Sequence, residues 1–355
     1  MKIWLMAILI LSGCSSKKKE KDFQKSLDKP GEVTPEVQVT APVTLLEKFE
    51  VEKIDSATAP SAPPVRPVPG KKVPKTPPKK VEAGPAMKPQ LPVTQDVPVS
   101  KLPADYPEAL LKLNQNAEKV WKLYKPNHFI NEKIFLDIHY LGMTVGKIMV
   151  TNRGKKMING KEVWHFHSRF KSAPFYSKIY ELDDTVDTYV TTDQFLSIRY
   201  SLIQRESKQS VDDLQLHDRD QMKSFWFYKQ TKPDGALKNK EKNAHIPYFS
   251  IDPFSVLFFY QGLPMKNGDI YEIPIINKAK ILLLRSEVEG REEIKIEDNK
   301  TVKAIRVHAT TQYTGETLKS GDIYLWFSDD DHRRLLKAKA KINMGSVTAD
   351  IVEGQ

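Results

Sequence analysis

The chain has 355 residues, 40% of them hydrophobic, with 55 Lys and Arg against 45 Asp and Glu for a formal net charge of +10. One cysteine in that length excludes a disulfide framework and a thiolate metal site, so a folded part must rest on its core. The positive charge is spread out: residues 15–106 hold 16 basic and 12 acidic side chains, with no patch that points to nucleic acid.

The start reads Met1, Lys2, an apolar run from Ile3 to Leu11, the small residues Ser12 and Gly13, then Cys14. That order predicts a bacterial export signal over residues 1–13. The run falls short of the roughly 20 apolar residues a bilayer span needs. Leu11-Ser12-Gly13-Cys14 resembles the lipobox of bacterial lipoproteins. The resemblance implies that Cys14 becomes the first residue and is acylated, so a membrane is the expected partner. Each buried lipid CH₂ contributes about 0.8 kcal/mol, and several chains on one sulfur and amine would hold firmly. By similarity to the sorting rules of enteric lipoproteins, Ser15 favours the outer membrane, with the domain in the periplasm.

Residues 14–105 hold 16 of the 24 prolines, and Phe49 is the single aromatic between Pro30 and Pro103. Such a composition cannot offset chain entropy by burial and predicts a disordered tether. "PSAPPVRPVPGKKVPKTPPKK" (60–80) predicts a semi-rigid polyproline spacer. "VTLLEKFEVEKI" (43–54) is the one patch suited to folding on a partner, a bare linker being the simpler reading.

From Tyr106 the pattern changes. Leu110, Leu113, Ala117, Val120, Trp121 and Tyr124 recur at helical spacing and predict an amphipathic entry helix over 106–126. Residues 127–355 are mostly period two, with strands expected near 134–140, 163–170, 186–191, 195–205, 223–230, 270–276, 280–288, 292–297, 301–311, 322–328, 334–343 and 346–352. The fold class is mainly β: a curved antiparallel sheet or half-barrel with one buried helix. That helix is "DPFSVLFFYQG" (252–262), with Asp252 as cap, Pro253 in the first turn and Gly262 as a left-handed stop. Being apolar nearly all round, it must be buried on most sides. Phe254, Leu257, Phe258 and Tyr260, with Trp326, are the candidate ligand-binding residues.

"DPFSVLFFYQG", "NGDIYEIPI" (267–275), "VEGREEI" (288–294) and "YLWFSDDDHRR" (324–334), preceded by "YLGMTVGKIMV" (140–150) and "YELDDTVDTYV" (180–190), resemble the bacterial domain of unknown function 3108. The likeness spans roughly 130–352. It implies a largely β envelope protein with no established activity. The half-barrel of lipoprotein carriers, which holds acyl chains, is a similar arrangement.

Sharper sites have blander competitors. His165 and His167, two apart on a strand face, suggest a metal with His139 as third ligand. Arg169 on the same face opposes a cation, so an exposed polar face is expected and no metal or other cofactor is assigned. Asp329, Asp330, Asp331 and His332 read as a solvated hairpin turn. Asp183, Asp184 and Asp187 suggest paired carboxylates for glycan hydrolysis, yet polar residues at a strand start account for them. Arg291 in "GREE" is expected to pair with an acid. Lys337, Lys339 and Lys341 share one strand face: either lysines guarding a sheet edge or a basic stripe for anionic lipid or wall polymer. The leading functional expectation is a lipid-anchored, non-catalytic envelope module holding a hydrophobic or envelope-derived ligand. The alternatives are a scaffold docking on peptidoglycan or an envelope protein, and an envelope hydrolase.

Overall fold

The computed structural model describes residues 36–52, 102–313, 316–317, 322–342 and 345–352. Cys14 and the proline-rich stretch 60–80 lie outside them. One antiparallel sheet dominates, made of two meanders. The first runs β1 (Lys133–Tyr140), β2 (Met143–Ile158), β3 (Lys161–Ser172), β4 (Asp183–Thr191), β5 (Ser197–Glu206), β6 (Gln209–Asp218), β7 (Lys223–Thr231) and β8 (Leu237–His245). The second runs β9 (Ile270–Ile276), β10 (Ile281–Lys295), β11 (Thr301–Tyr313), β12 (Glu316–Thr317), β13 (Ile323–Ser328), β14 (Leu335–Ile342) and β15 (Gly345–Ile351). Sequence neighbours pair within each meander, the short β12 lying off the path beside β11. β1 pairs with β15 and joins the two, which leaves β8 and β9 as the edges. The fold is therefore mainly β, an open curved antiparallel sheet.

Local chemistry sets the connections. Asn159 (φ 49) and Gly160 (φ 70) form the β2–β3 turn, both left-handed, which matches the twist of the flanking strands. The sequence pattern predicts two strands at 280–288 and 292–297. The chain makes one strand there, β10, with a bulge between Val288 and Gly290. β2, β6, β8 and the two-residue β12 have no counterpart among the expected strands. β6 carries buried Asp212, Asp213, Gln215 and His217, and β8 has no apolar alternation at all, so neither shows the period-two signal.

Three α-helices accompany the sheet among the described residues: α1 (Val43–Lys48), α2 (Glu108–Trp121) and α3 (Val256–Gln261). α3 starts later than expected, at Val256 with Ser255 as its N-cap; Asp252 instead holds the turn that precedes it, accepting the N–H groups of Phe254 and Ser255 at 2.9 Å each. It also takes hydroxyl bonds from Thr188 (2.5 Å) and Ser197 (2.6 Å), which tie α3 to β4 and β5. Gly262 corrects an expectation: its φ is −90, a right-handed value. Glycine is needed there for close approach, since a Cβ would stand 2.3 Å from the Tyr124 ring and 2.5 Å from the Lys125 carbonyl. That contact and the Lys125 N–H bond to Gly262 O (2.8 Å) seat the end of the entry segment on α3.

The main core lies on the inner face. Phe259 is fully buried, with ring centroids 4.6 Å from Trp121, 4.7 Å from Tyr124 and 5.5 Å from Phe195. Fully burying side chains of this size contributes about 1.5–3 kcal/mol each. α2 is pinned by Tyr248 N–H to Asn114 Oδ1 (2.7 Å) and by the Trp121 indole N–H to Gln194 O (2.9 Å). A second core lies on the opposite, outer face, where Ile158, Val163, Tyr189, Ile198, Leu214, Leu216 and Phe227 cluster around Phe49. Residues 36–52 thus form a strap on their own domain, where a bare linker is the simpler sequence reading. Lys48 pairs with Asp218 at 2.7 Å, Arg199 donates to Phe49 O at 2.8 Å, and Glu52 bridges to Met157.

Candidate functional site

Two contiguous clefts run between α3 and the β1–β2 hairpin, sharing Ile134, Val150, Phe258 and Gln261. One is walled by Leu136, Leu257 and Leu335. The other opens among His128, Phe129, Glu132, Thr151 and Asn152. Each has a volume of about 10 Å³, room for a single water. The combined shape is an apolar slot with a polar mouth.

Asn152 gives the slot a chemical preference. It is buried, and its Oδ1 accepts the Gly154 N–H at 2.9 Å, which fixes the orientation of the amide. Its Nδ2 has no hydrogen-bond partner. An unsatisfied buried donor costs about 1–3 kcal/mol, so the site favours an acceptor. His128 lies beside it, with Nε2 2.6 Å from the Tyr124 hydroxyl and Nδ1 3.4 Å from Gln261 Oε1. Burial pushes its pKa down to about 4, so at neutral pH the ring is uncharged, accepting from Tyr124 and donating to Gln261. Burial also raises Glu132, opposed by Arg334 at 3.9 Å and His332 at 3.6 Å. Phe129 stacks on His332 at 4.0 Å across the mouth.

The structure gathers three of the five candidate ligand residues here. Leu257 and Phe258 line the slot, and Phe254 packs edge-on to Phe258 at 5.5 Å. Tyr260 is elsewhere, its hydroxyl on Ser286 and its ring 5.5 Å from Phe327. Trp326 bonds Glu292 and lies 5.7 Å from the Arg306 guanidinium and 5.9 Å from Lys337 Nζ, on the side of β13 that carries Tyr324. His128, Glu132, Asn152 and Gln261 carry no signal in the sequence. They are polar residues at no recognisable spacing, brought together by the connection from α2 to β1, by β2 and by the end of α3.

The other polar candidates resolve differently. His165 and His167 are buried, not exposed: both bond Asp187 Oδ1, at 2.6 and 2.8 Å, with Arg153 at 3.8 Å. Burial alone would raise the Asp187 carboxyl, but the two histidine bonds outweigh it and hold it well below the usual carboxylate range. Among the described residues no group of three or more His, Cys, Asp and Glu has metal-binding geometry. Asp183 pairs with Arg169 at 2.7 Å. Asp184 is raised to about 7 by burial and by Glu206, and sits against Gln204; neither cleft touches it. Asp330 caps its own hairpin turn, accepting N–H groups from His332 (3.0 Å) and Arg333 (3.1 Å), and Arg291 pairs with Asp329 at 3.1 Å.

The lysine stripe does not lie on a sheet edge. β14 is an interior strand between β13 and β15, so it guards no edge. Lys337 pairs with Asp350 at 2.6 Å and Lys341 with Asp322 at 3.3 Å, which neutralises much of the row; Lys339 lies between them, half-buried.

The family DUF3108, described as a protein of unknown function, matches residues 136–352, more than half of the chain. The chain belongs to the DUF3108 family. The DUF3108 region begins inside β1 and ends just past β15, so it takes in nearly all of the sheet and α3 but neither strap nor α2, and the cleft residues His128, Phe129, Glu132 and Ile134 lie just before it. No curated protein matches the sequence. Among solved structures, a β-barrel-like protein of the domain of unknown function DUF1849 from Brucella abortus is 11% identical, with 64% of this chain and 97% of that one covered and a TM-score of 0.40. A protein from Bacteroides fragilis described as exported, with a YmcC-like fold, is 9% identical over the same shares, with a TM-score of 0.28. Among the described residues, no helix is long and apolar enough to cross a membrane.

Proposed function

We propose that this chain is a non-catalytic binding module of the cell envelope, tied to the outer membrane through acylated Cys14, whose ligand is an aliphatic chain with a polar, acceptor-bearing head. The aliphatic part enters beside Leu257 and Phe258 against Leu136 and Leu335, and the head meets Asn152 Nδ2. The observation that carries this reading is the buried, unpartnered Asn152 donor at the end of an apolar slot. At about 10 Å³ each the clefts are too small for an acyl chain, so loading requires Leu257 and Phe258 to swing outward. Asp252 and Gly262 hold the two ends of α3, so the movement is confined to these side chains.

The test is displacement of a fluorescent fatty acid from the full-length chain. Asn152→Leu should weaken uptake, and the stability of the empty protein should change little, because the substitution removes the unsatisfied donor but also the acceptor of the Gly154 N–H. Leu257→Trp should block uptake by filling the slot. Failure of the unsubstituted chain to take up any acyl probe, with an ordered water found on Asn152, would sink the ligand assignment. The tether is tested separately: Cys14→Ser should release the protein from membranes, and retention would refute the anchor.

A further inference from the structure

The two edges of the sheet are finished differently. At β9 the edge is covered: Ile251 bridges to Ile275, its N–H on Pro274 O at 3.2 Å, and Ile276 N–H reaches Ile251 O at 2.8 Å, while α2 packs against the same strand. β8 ends the sheet on the other side, and among the described residues no strand pairs with its outer edge. Residues 237–243 are exposed on both faces. Alternate main-chain N–H and C=O groups along these seven residues therefore face solvent, a long free edge for a natural sheet.

The side chains on that edge are equally particular. Lys238, Lys240 and Lys242 fall at every second position, opposite Gln230, Tyr228 and Trp226 of β7. Lys240 Nζ stands 5.9 Å from the Trp226 ring and 5.7 Å from that of Tyr228. Lys278, held in a left-handed turn (φ 56) between β9 and β10, brings a second ammonium to 5.7 and 5.5 Å from the same rings. The nearby carboxylate, Asp213, serves Lys278 at 3.1 Å. Among the described residues no acid pairs with Lys238, Lys240 or Lys242, in contrast to Lys337 and Lys341 on β14. Two ammonium groups over one pair of rings repel each other, and the ring faces offset only part of that.

We infer that β8 is a strand-addition edge for an acidic, extended segment of a partner protein, with carboxylates at every second residue facing Lys238, Lys240 and Lys242. Edge lysines turn away neutral and basic strands, including the β8 of a second copy, and the same lysines select an acidic one. Directly opposite residues in an antiparallel pair stand about 4.5–5.5 Å apart at Cβ, close enough for each lysine to meet an acid. Main-chain bonds supply the pairing, and the charge register chooses the partner. Five strands, β3–β7, separate this edge from the β1–β2 slot, so the inference stands apart from the acyl-ligand reading.

The experiment uses the full-length chain and a labelled peptide of alternating Glu and Thr. Controls are a peptide of the same composition with its acids in one block, an alternating Lys–Thr peptide, and polygalacturonate as a polyanion without peptide groups. The alternating acidic peptide should bind and slow hydrogen exchange at the amides of 237–245. Replacing Lys240 and Lys242 together with Glu should weaken it roughly tenfold, the scale of two reversed surface pairs, and admit the Lys–Thr peptide. Both positions are exposed, so the unfolding temperature of the double variant should match the parent. Equal binding of the block peptide or polygalacturonate without slowed exchange would overturn strand addition in favour of bare charge. No binding of the alternating peptide at physiological salt would overturn the inference and leave the lysines as guards of the edge.

Discussion

The two meanders share a sheet but bury it differently. In the first, β5 and β6 are buried along nearly their whole length, on both faces. In the second, residues 281–288 of β10 and most of β15 alternate buried and half-buried positions, one face on the core and one wet. The strap makes the difference. Phe49 and its neighbours cover the outer face of β3–β7, and Asp212, which would otherwise face solvent, receives the Gln38 N–H at 3.1 Å. On the second meander the outer face carries Arg306 with Glu289 (2.7 Å) and Lys337 with Asp350 (2.6 Å) instead. One half is thus sandwiched and the other half solvated, and polar residues mean different things in the two.

The strongest way to break that contrast is at Phe49. Phe49→Ala should destabilise the fold by about 3 kcal/mol, the low end for a buried aromatic because the strap can settle, and chemical denaturation would measure it. A loss near zero would mean the strap contributes no core. Next comes Asp187→Ala, which leaves His165, His167 and Arg153 without their shared acid. A buried pair broken on one side costs about 3 kcal/mol where it cannot be resolvated, with relaxation around the half-exposed Arg153 reducing it; equilibrium unfolding should show a clear loss.

The covered half should also titrate. Asp184 has its pKa raised from 3.8 to about 7, so the folded state holds this proton more tightly than the unfolded chain. Its stabilising contribution is present below pH 3.8 and disappears as pH rises to about 7. His128 runs the other way: lowered from 6.5 to about 4, it keeps stability above pH 6.5 and loses it as pH falls towards 4. Asp184→Asn should therefore flatten the loss between pH 4 and 7 in stability measured against pH, leaving the acid-side fall; an unchanged slope would contradict the raised value. The smallest effect belongs to the solvated half. Lys337→Ala should cost under about 1 kcal/mol, as expected for a partly exposed pair, and a larger loss in thermal unfolding would show that face to be structural.

Much of this was legible beforehand. Period-two runs in β3, β5, β13 and β14, the turn held by Asp252 and the all-round apolar α3 follow from local spacing, because burial on one face imposes its own repeat. β8 was not legible, since an edge exposed on both sides has no repeat to impose. His165 and His167 share a face with Arg169, and local charge alone makes that face look wet. Only the pairing of β3 with β4 places Asp187 between them.

What the amino-acid order settled by itself is the β class, the buried helix and the family motifs, all carried by residues close together in the chain. The tertiary structure decided which faces are covered, which strand is an edge and which polar groups meet at the slot. Those outcomes depend on contacts between residues as distant as Phe49 and Phe227, or Asn152 and Gln261, which share no local pattern. Burial of a polar group is a property of what lies over it, and that is fixed only when the whole chain has packed.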